Sequence, residues 1–213
     1  MSLMNKYSYY LFDFDGTLVD SLKANERVFV EAFASIGIKI NPHDVLEYTR
    51  KPIPETYREL NANEEDWQKF ADNILKLVND EVTIKLTEIY DDTFDTLLDL
   101  RMQEASLSIV TSNNVKHVKD ILKKFNMHEM FFDAYVGNKE APIPKPNPQP
   151  LNVALKMLSY KGDLKDVVYV GDAMNDVLAA KAAGITPILL DRDDIFSDGK
   201  DYIRIHSLKE LLD

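Results

Sequence analysis

Short apolar runs alternate with stretches of helical spacing along much of this chain. Six runs rich in aromatic and β-branched residues predict strands, at residues 7–12, 107–110, 134–136, 167–170, 186–190 and 203–205. Between them, apolar residues such as Val115, Val118 and Leu122 lie three and four positions apart, which predicts helices. Strands that alternate with helices are typical of a parallel sheet, so we predict an α/β fold with a Rossmann-like parallel-sheet core.

The stretch from about residue 18 to about residue 89 interrupts this alternation. It contains no convincing buried strand, and its apolar spacing predicts a helix through Phe29 that ends at Gly37 and a long amphipathic helix through Trp67 and Phe70. We therefore predict a core domain over residues 1–17 and 90–213. A small all-helical cap domain, residues 18–89, is inserted after the first strand.

Prolines mark a short helix between those two cap helices. Asn41 and Pro42 predict an N-cap followed by proline in the first helical position. Pro52 and Pro54 follow Thr49 and predict the end of that helix. At the other end of the chain, residues 208–212 predict a short terminal helix after the last strand.

Composition excludes several classes of protein. The formal net charge of −11 argues against nucleic acid as a partner, because contact with phosphate backbones requires a basic surface. The chain has no cysteine, which excludes disulfides, thiol catalysis and zinc–thiolate sites. No apolar run approaches the length of a membrane span, and the N-terminus lacks a signal-peptide pattern. We expect a cytoplasmic protein that has no membrane partner and is a monomer or a homodimer.

Two carboxylates, Asp13 and Asp15, directly follow the first predicted strand, and Gly16 adds a turn signal. Open α/β sheets bind their ligands at the carboxyl ends of the strands. Charge near a core is costly unless a metal ion or a shared proton compensates it. A water-facing turn, in which both carboxylates bond local backbone, is the alternative. The position at the strand end favours a catalytic or metal-binding role over such a turn.

The segment Asp13-Phe14-Asp15-Gly16-Thr17-Leu18 resembles the first motif of the haloacid dehalogenase-like superfamily of phosphohydrolases. The resemblance implies that Asp13 is the nucleophile that takes up the phosphoryl group and is a ligand of Mg²⁺. It implies that Asp15 is the general acid/base and that its main-chain carbonyl also binds the metal. An aspartate at position 15 favours a phosphatase, because the dehalogenases and the phosphonate-cleaving relatives lack this acid.

Thr111, Ser112 and Asn113 stand at the end of the second predicted core strand. Such residues cap helices, and helix N-termini also bind phosphate through free backbone N–H groups, so both roles stay open. The resemblance implies that Thr111 is the second-motif hydroxyl that donates to phosphate. The backbone of Ser112 and Asn113 would lie near the same phosphate group.

Lys145 lies in a stiff, proline-rich loop. A lysine in a loop is usually a solubilising charge, but one held by prolines can also place a point charge near phosphate oxygens and offset the repulsion among carboxylates. The sequence from Lys145 to Pro148 resembles the third motif of the superfamily. The resemblance therefore assigns phosphate binding to Lys145.

Asp172 and Asp176 follow another apolar strand, after the turn signal Gly171. They lie one helical turn apart, and Asp172 as a simple N-cap is the alternative. Mg²⁺ requires hard oxygen ligands from a few carboxylates. The pattern resembles the fourth motif, which implies Asp172 as a direct metal ligand and Asp176 as an outer-shell or alternate ligand.

Together, the four motifs imply a phosphatase that uses Mg²⁺ to hydrolyse a small-molecule phosphomonoester through an aspartyl-phosphate. The cap placement resembles the phosphoglycolate phosphatase-like subgroup. A sugar phosphomutase similar to β-phosphoglucomutase and a non-catalytic binding relative are the alternatives.

Arg50 and Lys51 occupy a cap loop where relatives often carry glycine, a departure that argues against glycolate specificity. The two cations form either a solvated turn or, as a sharper hypothesis, a contact from Arg50 or Lys51 to a second anionic group of the substrate.

Overall fold

The computed structural model describes residues 7–127 and 131–213. They form two compact units. Unit 1 comprises the described residues up to Val19 and from Ile89 onward, and unit 2 comprises Asp20–Glu88. Within the described residues, no helix has both the length and the apolar character needed to cross a membrane.

Strands and helices alternate in unit 1. The strands within the described residues are β1 Tyr9–Phe12, β2 Val19–Asp20, β3 Glu88–Ile89, β4 Ser106–Val110, β5 Ala134–Val136, β6 Val167–Gly171, β7 Thr186–Leu190 and β8 Ile203–Ile205. The α-helices are α1 Leu22–Ser35, α2 Val45–Thr49, α3 Ile53–Glu59, α4 Trp67–Val78, α5 Glu81–Leu86, α6 Thr93–Met102, α7 Val115–Lys124, α8 Gln149–Met157 and α9 Met174–Ala183. Short 3₁₀ helices also lie at Pro42–Asp44, Glu64–Asp66, Leu164–Asp166 and Leu208–Leu212.

Six of the strands form one parallel sheet in the order β5-β4-β1-β6-β7-β8. This confirms the predicted α/β fold, and each of the six predicted strands is present. The predicted terminal helix is the 3₁₀ helix Leu208–Leu212. All five residues of β6 are buried, as expected of a central parallel strand with both faces covered. The short strands β2 and β3 pair separately.

The core of unit 1 lies between the sheet and its helices. Leu11 of β1, Val110 of β4 and Tyr169 of β6 are almost fully buried in one cluster with Leu151 of α8 and Ala180 of α9. These helices begin directly after the loops that contain the third and fourth motifs. Their packing against the sheet therefore places both loops at its carboxyl edge.

Unit 2 has a core of its own, built from aromatic rings. The Phe70 ring lies 4.6 Å from that of Phe33 and 4.9 Å from that of Tyr57, and Trp67 packs edge-on against Tyr57. At the edge of this unit, the Arg27 guanidinium donates to Asp80. Helices α1 and α4 carry most of this core, in agreement with the predicted helical stripes.

The prolines of unit 2 both end one helix and begin the next, and the sequence predicted only the first of these roles. The N-cap at Asn41 is present, since its side chain accepts from the His43 N–H, and α2 ends at Thr49 before the prolines. Helix α3 then begins at Ile53, with Pro54 in its first turn. Proline costs nothing there, because the N–H groups of a first turn have no partner within the helix.

Candidate active site

The carboxyl ends of β1, β4 and β6 lie side by side in unit 1. Phe12, the last residue of β1, pairs with Ile109 of β4 and with Val170 of β6. The Asp13 N–H continues this pairing by donating to the Val170 carbonyl oxygen at 2.8 Å. Thr111 follows β4 by one residue. The register of the sheet therefore brings the first, second and fourth motifs to the same edge.

Gly16 turns the chain sharply within the first motif. Its φ is +77°, and its N–H donates to the Val19 carbonyl oxygen at 2.8 Å. A Cβ atom at this position would lie 2.7 Å from Cγ of Asp172, which is closer than packed atoms approach. The turn therefore needs glycine for two reasons, the left-handed backbone and the space that Asp172 occupies.

Lys145 connects the first and fourth motifs. Its ammonium lies 2.9 Å from Oδ1 of Asp13 and 2.7 Å from Oδ1 of Asp176. It also donates to the Tyr169 hydroxyl at 3.0 Å. Lys145 is only 8% exposed, so these bonds form away from bulk water. The residue predicted to bind phosphate thus sits beside the predicted nucleophile.

Asp176 is held on both carboxylate oxygens. Oδ1 accepts from Lys145, and Oδ2 accepts at 3.1 Å from the backbone N–H of Ala173, the N-cap of α9. Gly171 makes room for it, because a Cβ at this glycine would lie 2.5 Å from Cβ of Asp176. Asp176 therefore orients Lys145 and caps the helix at the same time.

Asp13, Asp172 and Asp176 each offer a carboxylate oxygen, and these atoms lie within 4.8 Å of one another. Asp13 and Asp176 are buried, and Asp172 is half-buried. Lys145 contacts two of these carboxylates, Asp13 and Asp176. Carboxylate oxygens this close together fit a hard divalent cation such as Mg²⁺.

The electrostatics of Asp13 and Lys145 are strongly perturbed. Burial raises the pKa of Asp13 to about 7; the Lys145 charge opposes this shift, while the carboxylates of Asp176 and Asp15 add to it. Burial also disfavours the charged form of Lys145, but the carboxylates of Asp13 and Asp176 outweigh it and hold the Lys145 pKa well above its ordinary value. A neighbouring cation would favour ionised Asp13.

The second motif contacts the first through an amide that the sequence analysis treated only as backbone. Asn113 Nδ2 donates to Oδ2 of Asp15 at 2.9 Å, and the Asn113 N–H donates to the Thr111 hydroxyl at 3.1 Å. Thr111 is buried, whereas Ser112 is exposed. The cap of α7 is Asn114, whose side chain accepts from the backbone N–H of the third helical residue.

Arg50 and Lys51 lie in unit 2, just after α2. The Lys51 ammonium bonds to Glu47 at 3.0 Å and to Glu59 at 2.9 Å, so its charge is used within its own unit. Arg50 is half-buried at the C-cap of α2. A substrate contact of Arg50 stays a prediction.

Tyr169 is a site residue that the sequence analysis missed. Its ring lies in a run of valines and looks like an ordinary strand residue. The available signal is chemical: a buried tyrosine hydroxyl needs a hydrogen-bond partner. In the structure, that hydroxyl lies against Lys145 and Asp176.

The chain is similar to known proteins over most of its length. Residues 10–190 match the sequence profile of a family described as haloacid dehalogenase-like hydrolase. The chain is 30% identical to a phosphoglycolate phosphatase from Neisseria meningitidis, over 81% of this chain and 75% of that protein. It is also 30% identical to the pyrophosphatase PpaX of Bacillus velezensis, over 82% of this chain and 78% of that protein.

A solved structure shares the fold. It is a hydrolase of the haloacid dehalogenase-like family from Streptococcus pneumoniae, which matches 98% of both chains with a TM-score of 0.80 and 21% identity.

Proposed function

Because the chain belongs to the haloacid dehalogenase-like hydrolases and is a phosphatase of that family, we propose that it hydrolyses a small-molecule phosphomonoester through phosphorylated Asp13. The observation that carries the proposal is the placement of Asp13. This buried carboxylate lies at the end of β1, 2.9 Å from Lys145 and within the three-carboxylate group. A nucleophile beside a fixed cation is suited to attack an anionic phosphoryl group.

The reaction has two displacements. In the first, an Asp13 carboxylate oxygen forms a bond to phosphorus while the bond from phosphorus to the ester oxygen breaks, and Asp15 donates a proton to the departing alkoxide. In the second, water attacks the phosphorus of the aspartyl-phosphate and gives a proton to Asp15. Asp13 leaves as a carboxylate, and inorganic phosphate is released.

In this proposal, Asp15 carries out both proton transfers. Its carboxylate accepts from Asn113 Nδ2 at 2.9 Å, which directs the side chain toward the second motif. Its backbone lies in the Gly16 turn, two residues from Asp13. In this proposal, Asn113 fixes the orientation of Asp15, and the Asp15 carbonyl serves as a further metal ligand.

The metal would be Mg²⁺, held by Asp13, Asp172 and the Asp15 carbonyl, with Asp176 in the outer shell. When bound, it supplies positive charge that offsets the anionic oxygens of the substrate. Asp176 suits the outer role because Lys145 and the Ala173 N–H already hold both of its oxygens.

Phosphate would be bound by Lys145, by Thr111 and by the backbone of Ser112 and Asn113. Thr111 lies at the end of β4, and its hydroxyl already accepts from the Asn113 N–H. That bond leaves the hydroxyl proton available to a phosphate oxygen. Lys145 would exchange its bond to Asp13 for one to phosphate as Asp13 moves to phosphorus.

The names of the relatives support two classes of substrate, which differ in the group that leaves when the bond to phosphorus breaks. A phosphoglycolate phosphatase and a pyrophosphatase PpaX are equally similar to this chain, at 30% identity. A phosphomonoester is the first candidate, and inorganic pyrophosphate, in which phosphate itself departs, is the second. A sugar phosphomutase would use the same Asp13 chemistry but return the phosphoryl group to a sugar.

The test is phosphate release from a panel that contains 2-phosphoglycolate, other small phosphomonoesters, sugar monophosphates and pyrophosphate, with and without MgCl₂. Asp13→Asn is the blank, because it keeps the shape of the side chain and removes the nucleophile. We expect release that requires Mg²⁺ and falls at least about 1,000-fold in the blank.

Asp120→Asn is the matched control. Asp120 lies on α7 and pairs with the exposed Lys116, outside the four motifs. It should match the wild type. Isomerised sugar phosphate with little free phosphate would indicate the mutase, and full release by Asp13→Asn would rule out the proposal.

A further inference from the structure

We propose that Tyr169 is a positioning residue whose hydroxyl fixes Lys145 for phosphoryl transfer. The inference rests on the proposed function and adds to it a residue outside the four motifs. Tyr169 lies on β6, two residues before Gly171, and is 1% exposed. Its hydroxyl has three neighbours: Lys145 Nζ at 3.0 Å, the Val110 carbonyl oxygen at 2.9 Å and Asp176 Oδ1 at 3.2 Å.

The single phenolic proton decides how these contacts are used. The hydroxyl donates to the nearer acceptor, the Val110 carbonyl oxygen, and this leaves its oxygen lone pairs to accept from Lys145. Val110 is the last residue of β4 and directly precedes Thr111. One hydroxyl therefore ties Lys145 to the strand that carries the second motif.

Lys145 uses all of its donors in this arrangement. An ammonium group has three N–H bonds, and Lys145 directs them to Asp13, Asp176 and Tyr169. The ammonium therefore cannot rotate or shift without losing a bond. During the reaction, the bond to Asp13 must be given up to a phosphate oxygen. The bonds to Asp176 and Tyr169 persist and keep Nζ in place.

Tyr169→Phe tests this role, because it removes only the hydroxyl and keeps the buried ring. We expect kcat to fall at least about tenfold, which is the lower end of the effect of one lost hydrogen bond to a charged group. We expect KM to change by less than about twofold, because Lys145 still pairs with Asp176 and attracts the substrate. The measurement is steady-state phosphate release with saturating Mg²⁺ on the best substrate of the panel.

Tyr57→Phe is the matched control. The Tyr57 hydroxyl is also buried and donates to a backbone carbonyl, that of Asn63, at 2.6 Å, but it lies in the core of unit 2. Both variants should lower the melting temperature, since each loses a buried hydrogen bond. Only Tyr169→Phe should lower kcat. An unchanged kcat in folded Tyr169→Phe would overturn the inference.

A double-mutant cycle with Lys145→Met separates positioning from general weakening of the fold. If Tyr169 acts through Lys145, the hydroxyl has no further effect on kcat once Lys145 is absent. Equal fold losses in both backgrounds would contradict the proposal. The same cycle is run on urea unfolding, where coupling between Tyr169 and Lys145 is expected and strict additivity would contradict it. If the wild type releases no phosphate, the proposed function fails, and the unfolding cycle still decides the contact.

Discussion

Gly16 shows how much of the site depends on one missing side chain. Gly16→Ala should reduce Mg²⁺-dependent activity by about 100-fold or more, because its Cβ would displace Asp172, the predicted metal ligand. It should also lower stability by about 1–2 kcal/mol, the cost of a left-handed backbone for a residue with a Cβ. Phosphate release and urea unfolding measure the two effects.

Gly37→Ala separates these causes. Gly37 has a φ of +80°, close to that of Gly16, but no atom lies within 4 Å of a Cβ built on it. This variant should lose similar stability and keep its activity. If Gly16→Ala remained active while losing only stability, the contact with Asp172 would have no role in the site.

The raised pKa of Asp13 predicts that the affinity for Mg²⁺ depends on pH. With a pKa of about 7 in the absence of metal, Asp13 is largely protonated at pH 6 and ionised at pH 8. Its proton must leave before a cation binds, so each unit of pH below 7 should weaken Mg²⁺ binding up to about tenfold. Calorimetric titration of the wild type with MgCl₂ at both pH values measures this. In Asp13→Asn, the part of the dependence due to Asp13 should vanish, and equal wild-type affinities at pH 6 and pH 8 would contradict the expectation.

The sequence predicts the charged residues of the site better than their supports. Asp13 and Lys145 belong to motifs with a recognisable spacing, whereas Tyr169 lies in a run of valines that hides its hydroxyl. The N-cap of α7 is Asn114 and not one of the three residues before it. The sequence does not distinguish them, because a shift of one residue along the loop leaves the composition of the segment unchanged. Such partners depend on contacts between distant parts of the chain, which no local pattern contains.

At the scale of elements, one ion pair joins several loops of unit 1. Arg192, just after β7, forms two bonds of 2.9 Å to Asp92 at the start of α6 and donates to the Thr17 carbonyl oxygen at 3.0 Å. Its guanidinium also lies 3.8 Å from the centre of the Tyr90 ring. Asp92 further accepts from the Ser207 hydroxyl. The turn of the first motif is thereby tied to α6 and to the last part of the chain.

Asp92→Asn should destabilise the protein by about 3 kcal/mol at pH 7, because it leaves the mostly buried Arg192 without its counter-charge. Burial opposes ionisation of Asp92, but Arg192, Ser207 and the Leu208 N–H outweigh it and hold the Asp92 pKa below its usual value. A lowered pKa stabilises the fold above about pH 4, and this contribution is lost as the pH falls further. The difference from wild type in urea unfolding should therefore shrink in acid.

The exposed pair of Asp120 and Lys116 provides the comparison for that experiment. Asp120→Asn should cost less than about 1 kcal/mol, since water screens this pair. If Asp92→Asn cost no more than Asp120→Asn, the ion pair with Arg192 would not be what holds these loops together.

The six strands of the parallel sheet were easier to predict than the helices, and easier than the two-residue strands β2 and β3, which were not predicted. Buried parallel strands are nearly continuous apolar runs, so all six were visible in the sequence. Helix α3 was missed because Pro52 and Pro54 look like breakers unless their place in a first turn is known. Helix α5 is a six-residue element with a short apolar face, too brief for periodicity to reveal it.

At the scale of the whole molecule, the two units have separate hydrophobic cores. The cluster in unit 1 lies between the parallel sheet and its helices, whereas the cluster in unit 2 is dominated by aromatic rings. The long helices of unit 2 were predictable because the apolar spacing that indicates an amphipathic helix lies within the helix itself. The ring contacts within that core were not, since they join residues far apart in the chain.

Because the cores are separate, a destabilising substitution in one unit should increase local unfolding mainly within that unit. Phe70 of α4 is fully buried among Phe33, Tyr57 and Trp67, so Phe70→Ala should destabilise unit 2 by about 3–5 kcal/mol. Amide hydrogen exchange in α1 and α4 should accelerate accordingly, while exchange in β1, β4 and β6 stays close to that of the wild type. Leu75→Ala, on the same helix but 61% exposed, should leave both sets unchanged. Equal acceleration in the sheet would mean that the chain unfolds as one cooperative body, with the two cores stabilising each other.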